Sequence, residues 1–181
     1  ALDVKALIEQ GEQKVPELKI PRLVDGLELY WYQRLGVQHA LKIQNSANFS
    51  VPGSGKTWMG YSTFFMMKDV ENIVDKLLVI GPKVAVRAWN IEYEAMTGKK
   101  PDIKNIKAPE GSSQEIFDNV DQHEIFFVNY SMLGRELDNI RTMLQQHRFL
   151  VIADESHHFK NESTLNAINI REIAQHCTRK M

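Results

Sequence analysis

The sequence predicts an α/β fold, a mostly parallel sheet with helices on both faces. Three observations carry that expectation. Continuous apolar runs at 76–81, 124–128 and 149–153 read as strands buried on both faces, with helix-period segments between them. A glycine-rich turn, Ser50-Val51-Pro52-Gly53-Ser54-Gly55-Lys56-Thr57, stands between an apolar run at 47–51 and a segment at 58–68 that can be helical. The run at 149–153 ends directly in Asp154 and Glu155.

The bulk numbers set bounds. The chain has 181 residues, enough to bury a full core in one domain. Hydrophobic residues make up 43% and charged residues 25%, the balance of a soluble globular protein. The net charge of −1 excludes a uniformly basic surface, so any nucleic-acid contact needs a local patch or another domain. The single cysteine, Cys177, permits no internal disulfide, which fits a cytoplasmic or nuclear setting rather than secretion. No apolar run is long enough to span a membrane and no signal peptide opens the chain. It begins at Ala1, which reads as a piece of a longer protein or an artificial start.

Residues 1–26 read as a lead-in, a short amphipathic helix at 2–10 and then extended chain around Pro16 and Pro21 up to Gly26. The domain proper is expected over 27–181. A helix is expected over 27–44, with Val37, Ala40 and Leu41 on one face. Within it, Tyr32 and Gln33 follow two further aromatics, Tyr30 and Trp31. A glutamine amide can pair with adenine N6 and N7, with aromatics flanking the base. The other reading is a half-buried face with a surface glutamine, and the closeness of the glycine-rich turn favours the first.

That turn has the residue types of a phosphate-binding loop. Gly53 and Gly55 open backbone conformations closed to other residues, so that amides around Pro52, Gly53, Ser54 and Gly55 can converge on phosphate oxygens. Lys56 would place a cation on the outer phosphates, and the Thr57 hydroxyl would help hold Mg²⁺. The strict pattern opens on glycine where this chain has Ser50. The bland alternative is a glycine turn with an exposed lysine.

Pro82 stops the strand at 76–81, and 83–96 can be a helix carrying Trp89 and Glu92. Between residues 83 and 107 six basic residues face three acidic ones, so Pro82, Lys83 and Arg87 are candidates for gripping a sugar-phosphate backbone. An ordinary solvated helix is an equal reading for the lysines, and Trp89 reads as core. Residues 98–113 form a mobile connection with a short strand at 103–106, and 114–120 a short helix. Leu133, Leu137, Ile140 and Leu144 mark one face of a helix.

At the end of 149–153, Asp154 would bind Mg²⁺ through its water shell. Glu155 would orient and deprotonate an attacking water. A solvated acidic turn is the alternative, and the phosphate loop upstream weighs against it. The loop and Asp154 are expected at the carboxyl edges of neighbouring strands. Ser163 could cap a last helix with Ala167, Ile170, Ala174 and Cys177 inward. His157 and His158 lack cysteine or histidine partners at zinc spacing, so no metal cluster is expected there.

Taken together these segments resemble the first RecA-like domain of superfamily-two helicase-like ATPases, Swi/Snf-type branch, over roughly residues 27–181. Tyr32-Gln33 is similar to the adenine-reading element, and Ser50 to Thr57 to motif I. Gly81-Pro82-Lys83, with Trp89 and Glu92, is similar to motif Ia. Asn129-Tyr130-Ser131-Met132-Leu133 is similar to the tyrosine segment before motif II. Asp154-Glu155-Ser156-His157, continued by Phe159-Lys160-Asn161, is similar to the Asp-Glu-Ala-His (DEAH) box, with Ser156 in place of alanine.

The resemblance implies a P-loop NTPase lobe using ATP and Mg²⁺, in a parent that moves along double-stranded DNA with a second RecA-like lobe. Alternatives are a lobe of a true helicase or restriction-type motor, and, in another class, a nucleotide-binding module without turnover. It also implies a domain stopping before motif III, with residues 178–181 leading into that strand. These residues alone are then expected to lack the arginine of a second lobe and DNA-stimulated ATPase activity.

Overall fold

The computed structural model describes residues 15–48, 53–107, 113–155 and 164–181. Five parallel strands form one sheet: β1 (Lys76–Gly81), β2 (Ile103–Ile106), β3 (Ile125–Asn129), β4 (Phe149–Ala153) and β5 (Arg179–Lys180), in the order β2-β3-β1-β4-β5. The helices are α1 (Trp31–Lys42), α2 (Lys56–Phe65), α3 (Ala85–Thr97), α4 (Gln114–Asp118), α5 (Leu133–Gln146) and α6 (Leu165–His176).

Strand periodicity divides the core in two. Successive side chains of a strand point to opposite faces. Leu77 and Val79 of β1 join one apolar cluster with Val37 of α1, Phe64 and Phe65 of α2, and Trp89 of α3. Leu78 and Ile80 join the other, with Leu133, Ile140 and Leu144 of α5 and Ile173 of α6. Because both faces are covered, β1 is buried at all six positions, including Lys76. Its ammonium donates to the carbonyls of Val120 (2.8 Å) and His123 (2.7 Å), which is how a cation is accommodated at a core edge.

Where it is described, the lead-in packs on the body through Leu18, Ile20 and Leu23. Arg22, at φ 67°, forks between Asp69 (2.5 and 2.6 Å) and Glu124 (2.7 and 3.0 Å), with its guanidinium 4.9 Å from the Phe65 ring centroid. The Val24 amide donates to the Met96 carbonyl at 2.9 Å.

Several expectations shift. The helix after the glycine turn starts at Lys56 and closes with a π-helical turn, Met66–Val70, in which the Glu71 amide reaches the Met66 carbonyl at 3.0 Å. The strand expected at 124–128 lies one residue later. The Thr164 hydroxyl caps α6, accepting from the Ala167 amide at 3.3 Å, while Ser163 lies outside the described residues. Ile173 takes the deep position on α6, and Ala174 stands at its margin.

The larger correction concerns strand order. Among the described residues the chain ahead of the run leading to the glycine turn makes one bridge, Asn45 with Lys180, supported by Ser46 amide to Lys180 carbonyl at 3.0 Å, while residues 49–51 of the run lie outside the described residues. Since β5 also pairs with β4, it lies between the loop's approach and the Asp154 strand. The two are therefore not on neighbouring strands. Alternation along a chain says that strands are parallel, not which strand is inserted between which.

Candidate functional site

The register of the sheet puts Asp154 at its carboxyl edge. Ile80 pairs with Ala153, and the Asp154 amide donates to the Ile80 carbonyl at 2.8 Å. Asp154 is thus the first residue past the paired strands. Gly81 closes β1 beside it, and a Cβ on Gly81 would stand 3.4 Å from the Asp154 Cβ. The Trp89 indole N–H donates to Asp154 Oδ2 at 2.9 Å, and the Tyr130 hydroxyl donates to the Asp154 carbonyl. Burial first, and then the charges of Asp154 and Glu155, push the Tyr130 hydroxyl well above its ordinary pKa, so it stays a donor at neutral pH. Glu155 turns out of the strand at φ 57°, in the left-handed region that costs a non-glycine residue about 1–2 kcal/mol. Strain of that kind gathers where a side chain must be aimed.

The glycine turn is built on the same physics. Gly53 and Gly55 sit at φ 81° and 78°, and Gly55 is the N-cap of α2. Lys56 and Thr57 are the first helical residues, where the helix dipole favours an anion. Ser50, Val51 and Pro52 lie outside the described residues, as do residues 156–163 with the end of the carboxylate motif.

Gln33 joins α1 to the loop. Its Oε1 accepts from the Tyr30 amide at 3.0 Å, and its Nε2 donates to the Ser54 carbonyl at 3.1 Å. The residue is only 5% exposed. An amide has two donor hydrogens and two acceptor lone pairs, so one of each remains for a base. Gln33 lines a cavity of about 210 Å³ together with Tyr30, Tyr32, Gly55, Thr57 and Trp58. The Tyr30 and Tyr32 rings stack beside it, 5.7 Å apart and 8° from parallel. A larger cavity of about 410 Å³ shares Tyr32 but runs between α1 and residues 46–48, lined mostly by apolar groups. The glycine turn and Gln33 line the smaller cavity and not the larger one.

The donor set suits a nucleotide with a divalent cation. Main-chain amides and Lys56 match phosphate, while the Thr57 hydroxyl and Asp154 carboxylate are hard oxygen ligands of the type Mg²⁺ takes. Lys83, just ahead of α3, and Arg87, in its first turn, are exposed, and Pro82 is half-buried with its carbonyl accepting from Ala85 at 2.9 Å. Among the described residues no group of three His, Cys, Asp or Glu side chains stands together as a metal cluster, and no helix is long and apolar enough to cross a membrane.

Sequence reasoning missed how α3 enters the site. Trp89 is core, 2% exposed, yet its one polar atom is spent on Asp154. The Trp58 indole donates to Glu92, and the Tyr61 hydroxyl donates to the Trp89 carbonyl at 2.9 Å, tying α2 to α3. The spacing of Trp89 and Glu92 along one helix face was the available signal.

Comparison with known proteins agrees with this architecture. A family model described as type III restriction enzyme, res subunit, matches residues 28–181. The DNA repair and recombination protein RAD54B of Mus musculus is 32% identical over 91 residues, covering 50% of this chain and 10% of that protein. The Sulfolobus solfataricus SWI2/SNF2 ATPase core in complex with dsDNA aligns at TM-score 0.70 and 18% identity, covering 91% of this chain and 33% of that one. The same organism's SWI2/SNF2 ATPase core domain aligns at TM-score 0.65 and 19% identity, over 90% and 32%. The chain thus spans about a tenth of the curated relative and about a third of the solved cores. With 28–181 matched and the sheet and helices superposing, the chain belongs to the family described as type III restriction enzyme, res subunit, in the RecA-like fold of a SWI2/SNF2 ATPase core.

Proposed function

We propose that this chain is the ATP-binding lobe of a DNA-dependent ATPase that moves along double-stranded DNA. The observation that supports the reading is that the helix opened by the glycine turn and the Asp154 carboxylate at the carboxyl edge of β4 are both tied to α3, through Trp58–Glu92 and Trp89–Asp154. The loop amides and Lys56 would hold the β- and γ-phosphates. Thr57 and Asp154 would hold Mg²⁺, which supplies neutralisation of phosphate charge when bound. Gln33 would read adenine with its remaining donor and acceptor. Glu155 would orient the attacking water and accept its proton. Pro82, Lys83 and Arg87 would face the DNA backbone, and a second RecA-like lobe would complete the motor. The double-stranded DNA in the solved relative and the recombination role in the mouse relative's name favour a DNA partner. The family description favours a restriction-type motor as the second reading.

The test is steady-state ATP hydrolysis by the whole protein, with and without duplex DNA, beside equilibrium nucleotide binding. Lys56→Ala is expected to weaken binding. Glu155→Gln is expected to keep binding and lose turnover, since it touches the water rather than the phosphates. The Lys83→Ala/Arg87→Ala pair is expected to lower DNA stimulation at unchanged nucleotide affinity. Unchanged turnover in Glu155→Gln would remove the base assignment. DNA stimulation unaffected by the pair would remove the α3 contact.

A further inference from the structure

The Asp154 carboxylate and the phosphate loop arrive from elements that do not pair with each other, because β5 lies between them. Something else must set their separation. Trp89 touches both. Its indole N–H donates to Asp154 Oδ2 at 2.9 Å. Its six-membered ring lies over Gly60 of α2, so closely that a Cβ there would be 3.0 Å from Trp89 Cη2. Its ring meets that of Tyr61 edge-on at 4.8 Å, and its carbonyl accepts from the Tyr61 hydroxyl at 2.9 Å. One turn further along α3, Glu92 accepts from Trp58, two residues after Lys56.

From this we infer that Trp89 is the positioning residue of the carboxylate site. Its ring and carbonyl are registered on the helix that carries Lys56 and Thr57, and its N–H aims Asp154 across to them. The inference rests on the reading of Asp154 as a Mg²⁺-holding group. It adds that α3, whose first turn carries Arg87 and which Lys83 closely precedes, sets the geometry of that group. An indole suits the task because it is a large apolar body with a single donor. A phenylalanine would fill much of the space and aim nothing.

The experiment uses the whole protein and needs no turnover. Trp89 is replaced by phenylalanine and, separately, by 3-benzothienylalanine, which keeps the bicyclic shape and puts sulfur where the N–H was. Fluorescent ADP binding is titrated with Mg²⁺, and also measured in EDTA. Groups that orient a metal ligand typically change metal affinity by about 10–100-fold. Both variants are therefore expected to need roughly tenfold more Mg²⁺ at half-effect, with binding in EDTA unchanged. The benzothienyl variant guards against a folding defect, since its packing is retained. In addition, Asp154→Asn is expected to move the Trp89 indole N–H resonance while leaving those of Trp31 and Trp58 in place.

Wild-type Mg²⁺ dependence in both Trp89 variants, with Asp154→Asn still altered, would overturn the inference alone. Binding without Mg²⁺ dependence in the wild type would overturn it together with the site reading.

Discussion

Gly55→Ala and Gly53→Ala make a matched pair, because the two glycines share a positive φ and differ in surroundings. Gly53 has φ 81° and Gly55 φ 78°. An alanine at either carries the left-handed penalty of about 1–2 kcal/mol. At Gly53 the added methyl meets no described atom within 4 Å. At Gly55 it would lie 2.3 Å from Gln33 Nε2, far inside contact distance. Gln33 would have to swing away and give up its bond to the Ser54 carbonyl. Leaving such a buried group without its partner costs about 1–3 kcal/mol. The expected losses are about 1–2 kcal/mol for Gly53→Ala and about 2–5 kcal/mol for Gly55→Ala. Urea denaturation measures both, read as midpoint shifts at constant m. Nucleotide binding should fall further in Gly55→Ala than in Gly53→Ala, since it alone disturbs both the loop and Gln33. Equal destabilisation, within about 0.5 kcal/mol, would show that Gln33 is not seated against the loop and would refute the reasoning.

Arg22→Ala is expected to lower stability by about 2 kcal/mol in the same assay, as it removes hydrogen bonds to two carboxylates and the packing over Phe65. That contribution should depend on pH. Burial alone would raise the Glu124 carboxyl, but the hydrogen bonds from Arg22 and Lys68 outweigh it and hold the group below its ordinary range. A depressed carboxylate stabilises the fold above its unfolded pKa, about 4.3, and loses that stabilisation as pH falls through the folded value. The gap between wild type and Arg22→Ala should be level from neutral pH to about 5 and shrink below about 4; a gap constant down to pH 3 would exclude the Glu124 share. Thr164→Ala should cost about 1 kcal/mol through loss of the α6 cap, checked by the same midpoint, and no shift would mean that the bond to Ala167 contributes nothing.

Much of the fold was legible because the signals are local. The runs at 76–81 and 149–153 coincide with β1 and β4, and that at 103–106 with β2. A strand buried on both faces is nearly continuously apolar, so it stands out in sequence. The Asp-Glu pair could be placed at a strand end from its immediate neighbours alone, while most of the strand expected before the glycine turn lies outside the described residues. Which strand lies beside which could not be read so, since pairing is decided by helices folding over both faces at once. That is why β5 between the loop's approach and β4 went unforeseen. Gln33 shows the same limit. Its nearness to the loop was readable, while its dual bond to Tyr30 and Ser54 depends on how α1 docks. Trp89 shows it most plainly. A tryptophan on a helix face reads as core, and it is core. Only the packing of α3 against α2 and the end of β4 turns its single N–H toward Asp154.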